Sequence, residues 1–200
     1  MTPPTTEPPP PRPPPTLRTP RLTLRPPAVT DLDGFAAMNA DPEVMRYIGA
    51  GRLRAREETR AGLNHVIGDW GRKGYGLFSV DAAGTGEFLG WVTLAEPLFL
   101  PQVLPAVEIG WRFLRAHWGH GYATEAARAA MRFAFHDCGF ERLVSIRAVD
   151  NHASRRVMEK LGMHRELETS VPVTGQAVVV HAITRDEFET DRPSGGRRAS

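Results

Sequence analysis

Hydrophobic and polar positions along the chain switch repeatedly between the period of a strand and that of a helix. Alternation predicts a short strand at residues 21–25, and apolar runs predict strands at 75–80, 87–94, 106–114 and 143–149, with two more around a turn within 171–184. Helical spacing predicts helices after Thr30, over 54–70, from 122 to Gly139, and from 152 to Gly162. The order β-α-α-β-β-β-α-β-α-β-β predicts an α/β or α+β domain on one mixed sheet.

The two ends of the chain differ from this middle part. Nine of the first fifteen residues are proline, which lacks a backbone donor and cannot join a helix or a central strand. We therefore predict a disordered, proline-rich tail at 1–16, with a binding segment for an SH3-like partner as the alternative. The polar residues 191–200 predict a second, flexible tail, which leaves one folded domain at 17–190.

Charge and cysteine content exclude several classes of function. The 25 basic and 23 acidic side chains give a net charge of +2 with no basic stripe, so nucleic-acid binding is not expected. A single cysteine, Cys138, and the lack of an HExxH motif argue against a metal site and fit a reducing compartment. No secretory signal or membrane span is evident, so we expect a cytoplasmic protein.

The most informative segment is a glycine pair between a predicted strand and a predicted helix. Gly119 and Gly121 let backbone amides approach a ligand, and the unbonded first turn of the helix attracts anions. A Walker loop would need a lysine after the second glycine, and a Rossmann loop would need glycine where Thr124 stands. A loop that binds the pyrophosphate of coenzyme A fits better than either.

At this loop the chain resembles the GNAT acetyltransferase superfamily and, within it, the ribosomal-protein N-terminal acetyltransferase-like group. The family loop has Gln or Arg, then two residues, Gly, one residue, and Gly or Ala. Gly119 and Gly121 match its last part, whereas Ala116 stands at the Gln or Arg position. Residues 107–111 resemble the family's fourth strand, 151–163 its Asn-x-x-Ser segment, and 22–25 its opening strand. The resemblance covers residues 17–188.

The resemblance implies a GNAT fold, whose mixed, mostly antiparallel sheet has six to seven strands flanked by about four helices. It implies an N-acetyltransferase that transfers an acetyl group from acetyl-CoA to a primary amine by direct attack in a ternary complex, without a metal. The implied pantetheine contacts are the main chains of Phe113 and Leu114. The implied pyrophosphate contacts are the amides of Trp118, Gly119, His120, Gly121, Tyr122, Ala123 and Thr124. A homodimer is compatible with the resemblance.

Three side chains are candidates for catalysis, and each has a structural alternative. Glu108 is either a general base that deprotonates the incoming ammonium or a solvated carboxylate. Asn151 is an N-cap, a hydrogen-bond partner of the pantetheine arm, or both. Ser154 is a small polar helix residue, or by resemblance the group that assists the departing thiolate, because Met158 occupies the position of the usual family tyrosine.

Two functional hypotheses remain open from the sequence. The first is the enzyme, acting on a protein N-terminus or on a small-molecule amine. The second is an acyl-CoA-binding sensor that has lost turnover, which Ala116 and Met158 favour. The sequence does not identify the amine acceptor.

Overall fold

The computed structural model describes residues 14–190, and within that range the chain forms a single sheet of eight strands. The spatial order is β1-β2-β3-β4-β5-β6-β8-β7, and all neighbours are antiparallel except the parallel pair β5 and β6. The strands are β1 (Leu17–Arg18), β2 (Leu22–Arg25), β3 (Leu77–Ala82), β4 (Phe88–Ala95), β5 (Glu108–Phe113), β6 (Arg142–Ala148), β7 (His164–Ser170) and β8 (Ala177–Thr184).

Six α-helices accompany the sheet in residues 14–190, and α4 lies closest to its centre. Ala126, Ala127 and Ala130 of α4 are completely buried in the largest hydrophobic cluster, and their small side chains let the helix approach the strands. The helix start is thereby fixed just beyond the end of β5. The helices are α1 (Leu32–Ala40), α2 (Pro42–Met45), α3 (Arg56–Lys73), α4 (Tyr122–Arg132), α5 (His152–Lys160) and α6 (Arg185–Thr190).

The predicted mixed sheet is confirmed, and its differences from the prediction lie at the edges. Strand β1 was not predicted, because two residues carry no periodic signal. Residues 171–173 were predicted as strand, but Val171 and Gln176 close the turn of a hairpin through a 2.9 Å bond between their main chains. The strand before that turn is β7, a mostly exposed edge strand whose polar residues gave no apolar signal.

The helix predicted at 54–70 is displaced at both ends. The structure begins α3 at Arg56 and continues it to Lys73, where Gly74 adopts a left-handed conformation with φ of 71°. The amide of Gly74 donates to the carbonyl of Trp70, which ends the helix one turn later than expected.

Strands β5 and β6 diverge in the middle of the sheet. Their register contains one pair, Glu108 with Val144, and the amide of Val144 donates to the carbonyl of Val107 at 2.9 Å. Beyond this point β5 pairs only with β4, along its whole length. The far edge of β5 therefore faces an opening and not a neighbouring strand.

The two predicted tails lie mostly outside the described residues. Residues 1–13 of the tail predicted at 1–16, and all of 191–200, fall in this group. The boundaries of the domain at 17–190 accordingly stay a prediction.

Candidate active site

The glycine loop after β5 presents a row of unbonded amides. Gly119 and Gly121 are exposed and have φ values of 81° and 80°, which favour glycine strongly. The amide of Glu125 makes the first bond of α4, to the carbonyl of Gly121. Within the described residues, the amides of 119–124 donate to no protein acceptor. Six consecutive unbonded donors at a helix start have the geometry that suits an anion.

One residue predicted for this cradle behaves differently. The amide of Trp118 donates to the carbonyl of Arg115 at 3.2 Å, so it is used within the turn. The indole of Trp118 donates to the carbonyl of Phe113 at 2.9 Å, which anchors the loop to the end of β5. Trp118 thus shapes the loop, and its amide is not offered to a ligand.

A salt bridge holds the loop from the opposite side. Arg21, in the turn before β2, donates through Nε to Glu125 at 2.7 Å and through Nη1 to the carbonyl of His120 at 3.0 Å. Its guanidinium also lies 4.9 Å from the ring centre of Tyr122. The hydroxyl of Thr19 donates to the same carboxylate at 2.6 Å. These contacts fix the amides of the loop relative to the sheet.

The free edge of β5 supplies further main-chain groups. The amide of Leu114 donates to the carbonyl of Leu89, and alternation along an antiparallel pair then turns the main-chain groups of Trp111 and Phe113 towards the opening. The carbonyl of Phe113 is bonded to the indole of Trp118, so Phe113 offers its amide. Leu114 therefore departs from the prediction, since its carbonyl also accepts a bond, from the amide of His117. Trp111, in contrast, has main-chain groups that face the opening.

A cavity of about 480 Å³ lies where β5 and β6 part. Its lining comes from both faces of the sheet: Ser154 is on α5, which packs beside α4, whereas Trp91 and Tyr47 lie on the other side. The opening between the strands is therefore a passage through the sheet. Its volume falls in the range of small-molecule sites.

Glu108 lines this cavity. Burial raises the pKa of its carboxyl to about 8, although a hydrogen bond from the backbone amide of Ile146 acts in the opposite direction. The carboxyl therefore exchanges a proton near neutral pH. This is the property that a general base for an amine requires.

Asn151 and Ser154 line the same cavity as Glu108. The side-chain oxygen of Asn151 accepts from the amide of Ser154 at 3.0 Å, which confirms its predicted use as the N-cap of α5. Met158 is completely buried. The structure thus brings the three catalytic candidates together around one cavity, while the amides of 119–124 lie outside its lining.

Two arginines of the cavity wall were not singled out in the sequence. Arg112 follows Glu108 and Gly110 on one face of β5, and Arg54 lies in the segment before α3. The Nη1 atom of Arg112 donates to Asn39 at 2.6 Å, and its guanidinium lies 4.9 Å from the ring centre of Trp91. Only the folded chain brings these groups together, so no local sequence pattern could indicate them.

Residues 14–190 contain neither a metal-binding cluster nor a membrane-spanning helix. No group of three or more His, Cys, Asp or Glu side chains there is arranged to hold a metal ion. None of the helices in this range combines the length and apolar character needed to span a bilayer.

A family model described as the acetyltransferase (GNAT) domain matches residues 21–164. The chain belongs to the GNAT acetyltransferase family. The match includes the glycine loop, the free edge of β5 and all three catalytic candidates. The family assignment predicted from these segments is confirmed.

Known GNAT proteins resemble the chain over most of its length. It is 29% identical over 192 residues to the FsC-acetyl coenzyme A-N(2)-transacetylase of Aspergillus fumigatus, covering 86% of this chain and 77% of that protein. An acetyltransferase from Agrobacterium tumefaciens superposes with a TM-score of 0.72 at 31% identity, covering 86% of this chain and 95% of the other.

The group named in the resemblance is also found among the structural neighbours. The ribosomal L7/L12 alpha-N-protein acetyltransferase RimL, in complex with coenzyme A, superposes with a TM-score of 0.70 at 18% identity. The alignment covers 86% of this GNAT chain and 99% of RimL. At that identity the likeness is one of fold.

Proposed function

We propose that this GNAT protein transfers an acetyl group from acetyl-CoA to a primary amine. The observation that carries the proposal is the row of six unbonded amides at 119–124, held at the start of α4. A diphosphate is the part of coenzyme A that such a row suits, because its charge is delocalised over several oxygens. The neighbouring structure of RimL contains coenzyme A, which supports the same assignment.

The free edge of β5 suits the rest of the cofactor. Trp111 and Phe113 direct main-chain groups into the opening, where an extended pantetheine arm would bind as an added strand does. Acetyl-CoA supplies an acetyl thioester at the end of this arm. The amide of Trp111 or Phe113 is then placed to stabilise the oxyanion that forms at the thioester carbonyl.

Glu108 provides the base in this mechanism. An amine must lose a proton before it attacks, and a carboxylate with a pKa of about 8 accepts that proton near the working pH. The cavity holds the amine close to the thioester, which makes the attack effectively intramolecular. Glu108 acts on the amine directly or through one water.

Ser154 and Asn151 are assigned to stabilisation of the leaving group, the thiolate of coenzyme A. Ser154 lines the cavity from the first turn of α5, and its hydroxyl is proposed to donate a hydrogen bond to the thiolate that leaves. Asn151 fixes this turn through its bond to the amide of Ser154. The buried Met158 offers no polar group, so the hydrogen bond that stabilises the departing thiolate is assigned to the hydroxyl of Ser154, which keeps its proton.

The test is an assay of thiol release with the full chain, acetyl-CoA and a set of primary amines, together with calorimetry of coenzyme A binding. We expect heat on addition of coenzyme A, and thiol release that depends on the amine. Binding without release by any amine would indicate the acyl-CoA sensor instead. No binding of coenzyme A at all would exclude both functions.

A further inference from the structure

The wall of the cavity that faces α1 and α2 carries two cationic groups without a compensating carboxylate. Arg54 and Arg112 both line the cavity, and neither forms a salt bridge within residues 14–190. The charge of Arg54 acts on the carboxyl of Glu58, but Glu58 is already paired with Arg52 at 2.8 Å. The wall therefore has an excess of positive charge.

The position of Arg112 is costly in the absence of an anion. Its Nε atom is buried and lacks a hydrogen-bond partner. Burial and the charge of Arg54 together lower the pKa of Arg112 to about 10. Two like charges on a half-buried surface repel each other unless an anion lies between them.

Arg147 also lines the cavity and has a buried Nε without a hydrogen-bond partner, but its guanidinium interacts with Arg155 and Glu159 of α5. Its Nη1 donates to the carbonyls of Ala148 and Val149, at the other end of the passage beside α5. It thus leaves Arg54 and Arg112 as the two groups available to a ligand from this wall.

Strand β5 leaves room for a ligand between Glu108, the proposed base, and Arg112. Glu108, Gly110 and Arg112 alternate on one face of β5, so the first and last are about 13 Å apart along the strand. Gly110 has no side chain to block the space, and a Cβ there would meet only Thr93, at 3.4 Å. A molecule can therefore lie over Gly110 with one end at each charged group.

We propose that the amine acceptor is a small molecule that also carries a carboxylate, separated from its amine by several bonds. This inference rests on the proposed function. The ammonium end lies at Glu108, and the carboxylate lies between Arg54 and Arg112. Polyamines and aminoglycosides, which are polycations, are disfavoured by the same two arginines.

The test compares acceptors that differ only in the carboxylate. The ω-amino acids from β-alanine to 6-aminohexanoate are each matched with the alkylamine of the same amine-bearing chain, and kcat/KM is measured from thiol release. We expect at least about a tenfold preference for the amino acid at the best chain length, as a charge-assisted hydrogen bond supplies. Equal kcat/KM for both members of every pair would overturn the inference while leaving the acetyltransferase intact.

Two variants separate recognition of the carboxylate from general effects. Arg54→Gln removes an exposed guanidinium whose side chain forms no salt bridge, so the fold should be unaffected. It is expected to raise KM for the amino acid about tenfold, with little change in kcat or in the reaction of the alkylamine. Arg52→Gln, in the same segment but paired with Glu58, is the matched control and should leave KM unchanged. An equal effect of both variants would contradict the assignment of Arg54.

Discussion

At the scale of single residues, Glu108 is the proposed base, and its burial makes the ionised carboxylate unfavourable for the fold. Replacing it by Gln removes the base while keeping the size of the side chain. We expect kcat to fall about 100-fold, the lower end of what general base catalysis contributes. The parent enzyme should gain activity as pH rises through about 8, where Glu108 deprotonates, and Glu108→Gln should lack this rise. Rates measured from pH 6 to 10 provide the check.

Thermal stability supplies the control for this variant. Because folding raises the pKa of Glu108, the folded state holds the proton more tightly than the unfolded chain. The contribution to stability is complete below the unfolded pKa of 4.5 and is lost as pH rises through about 8. The Tm of Glu108→Gln should therefore exceed that of the parent at pH 9, with a smaller difference near pH 4. A variant that loses both activity and Tm at pH 9 would be misfolded, and its rate would say nothing about a base.

The loop glycines permit a second test at the residue scale. Alanine at Gly121 meets nothing closer than Arg21 at 3.6 Å, so its cost is backbone strain of about 1–2 kcal/mol at a positive φ. We expect Gly119→Ala and Gly121→Ala to weaken coenzyme A binding about tenfold or more. Gly139→Ala has the same kind of strain, with φ of 75° and open space, but lies beyond the loop. Calorimetry should show reduced affinity for the first two variants only.

Candidate site residues could be predicted from the sequence where they belong to a local pattern. Gly119 and Gly121 are recognised because two glycines between a strand and a helix are unusual. Arg54 and Arg112 could not be recognised, since 58 residues separate them along the chain and an isolated arginine suggests only a solvated surface. The internal bonding of Leu114 could not be foreseen either, because which amides face the opening depends on the register of β4 with β5.

At the scale of elements, the contacts of Arg21 with Glu125 and His120 tie the turn before β2 to the loop proposed to bind the cofactor. Removing them with Arg21→Ala should loosen the loop and raise KM for acetyl-CoA several-fold, with kcat nearly unchanged, because Arg21 lies outside the reaction cavity. Arg56→Ala removes a comparable exposed salt bridge, to Asp33, and should change neither constant. Steady-state kinetics with varied acetyl-CoA distinguish the two. A large loss of kcat in Arg21→Ala would contradict a purely positioning role.

A second polar cluster connects the segment before α1 to β2 and β3. Arg25 donates to both Asp31 and Asp81, and the hydroxyl of Ser79 donates to Asp31 at 2.7 Å. Burial alone would raise the pKa of Asp31, but these bonds and the amide of Ala28 hold it below its ordinary value. Asp31 therefore stabilises the fold at neutral pH, and this contribution is lost as pH falls below the ordinary range of an aspartate.

Substituting this carboxylate tests the cluster. Asp31→Asn keeps the shape but leaves Arg25 with only Asp81 as a charged partner. We expect the free energy of unfolding to fall by about 2–4 kcal/mol at pH 7. The difference from the parent should narrow as pH falls below the ordinary aspartate range, because there the unfolded chain binds a proton at Asp31 more readily than the folded parent does. Urea unfolding at pH 7 and pH 3 measures both values, and a constant difference would mean that the charge is not responsible.

Helices and strands with a strong apolar pattern were predicted most accurately. The strands β3 to β6 and the start of the alanine-rich α4 were predicted to within a few residues, because each buries a continuous face. The helix predicted to run to Gly139 is α-helical only to Arg132 and continues as a π-helical segment over Phe133–Asp137. Strand β7 was missed because it is polar and lies at the sheet edge, where pairing with β8 and not burial determines its conformation. The two-residue β1 depends wholly on its partner β2.

At the scale of the whole molecule, cofactor binding should protect two separated parts of the backbone. The amides of 119–124 have no protein acceptor, and those of Trp111 and Phe113 face the opening. Coenzyme A at saturation should slow hydrogen exchange at both, and should stabilise the fold by about 2.7 kcal/mol at 100 times its Kd. The β7–β8 hairpin provides an internal reference that should not respond locally. Protection confined to the loop would exclude the proposed contact along β5.

The divergence of β5 and β6 determines how two substrates could reach the same cavity. In the proposed reaction, the acetyl donor and the amine acceptor enter from opposite sides of the sheet and meet where the two strands part. Both substrates can therefore be bound at the same time, so the acetyl group can pass directly from donor to acceptor without a covalent intermediate on the protein. The gap that leaves one edge of β5 largely unpaired is thus the place where the two proposed substrates meet.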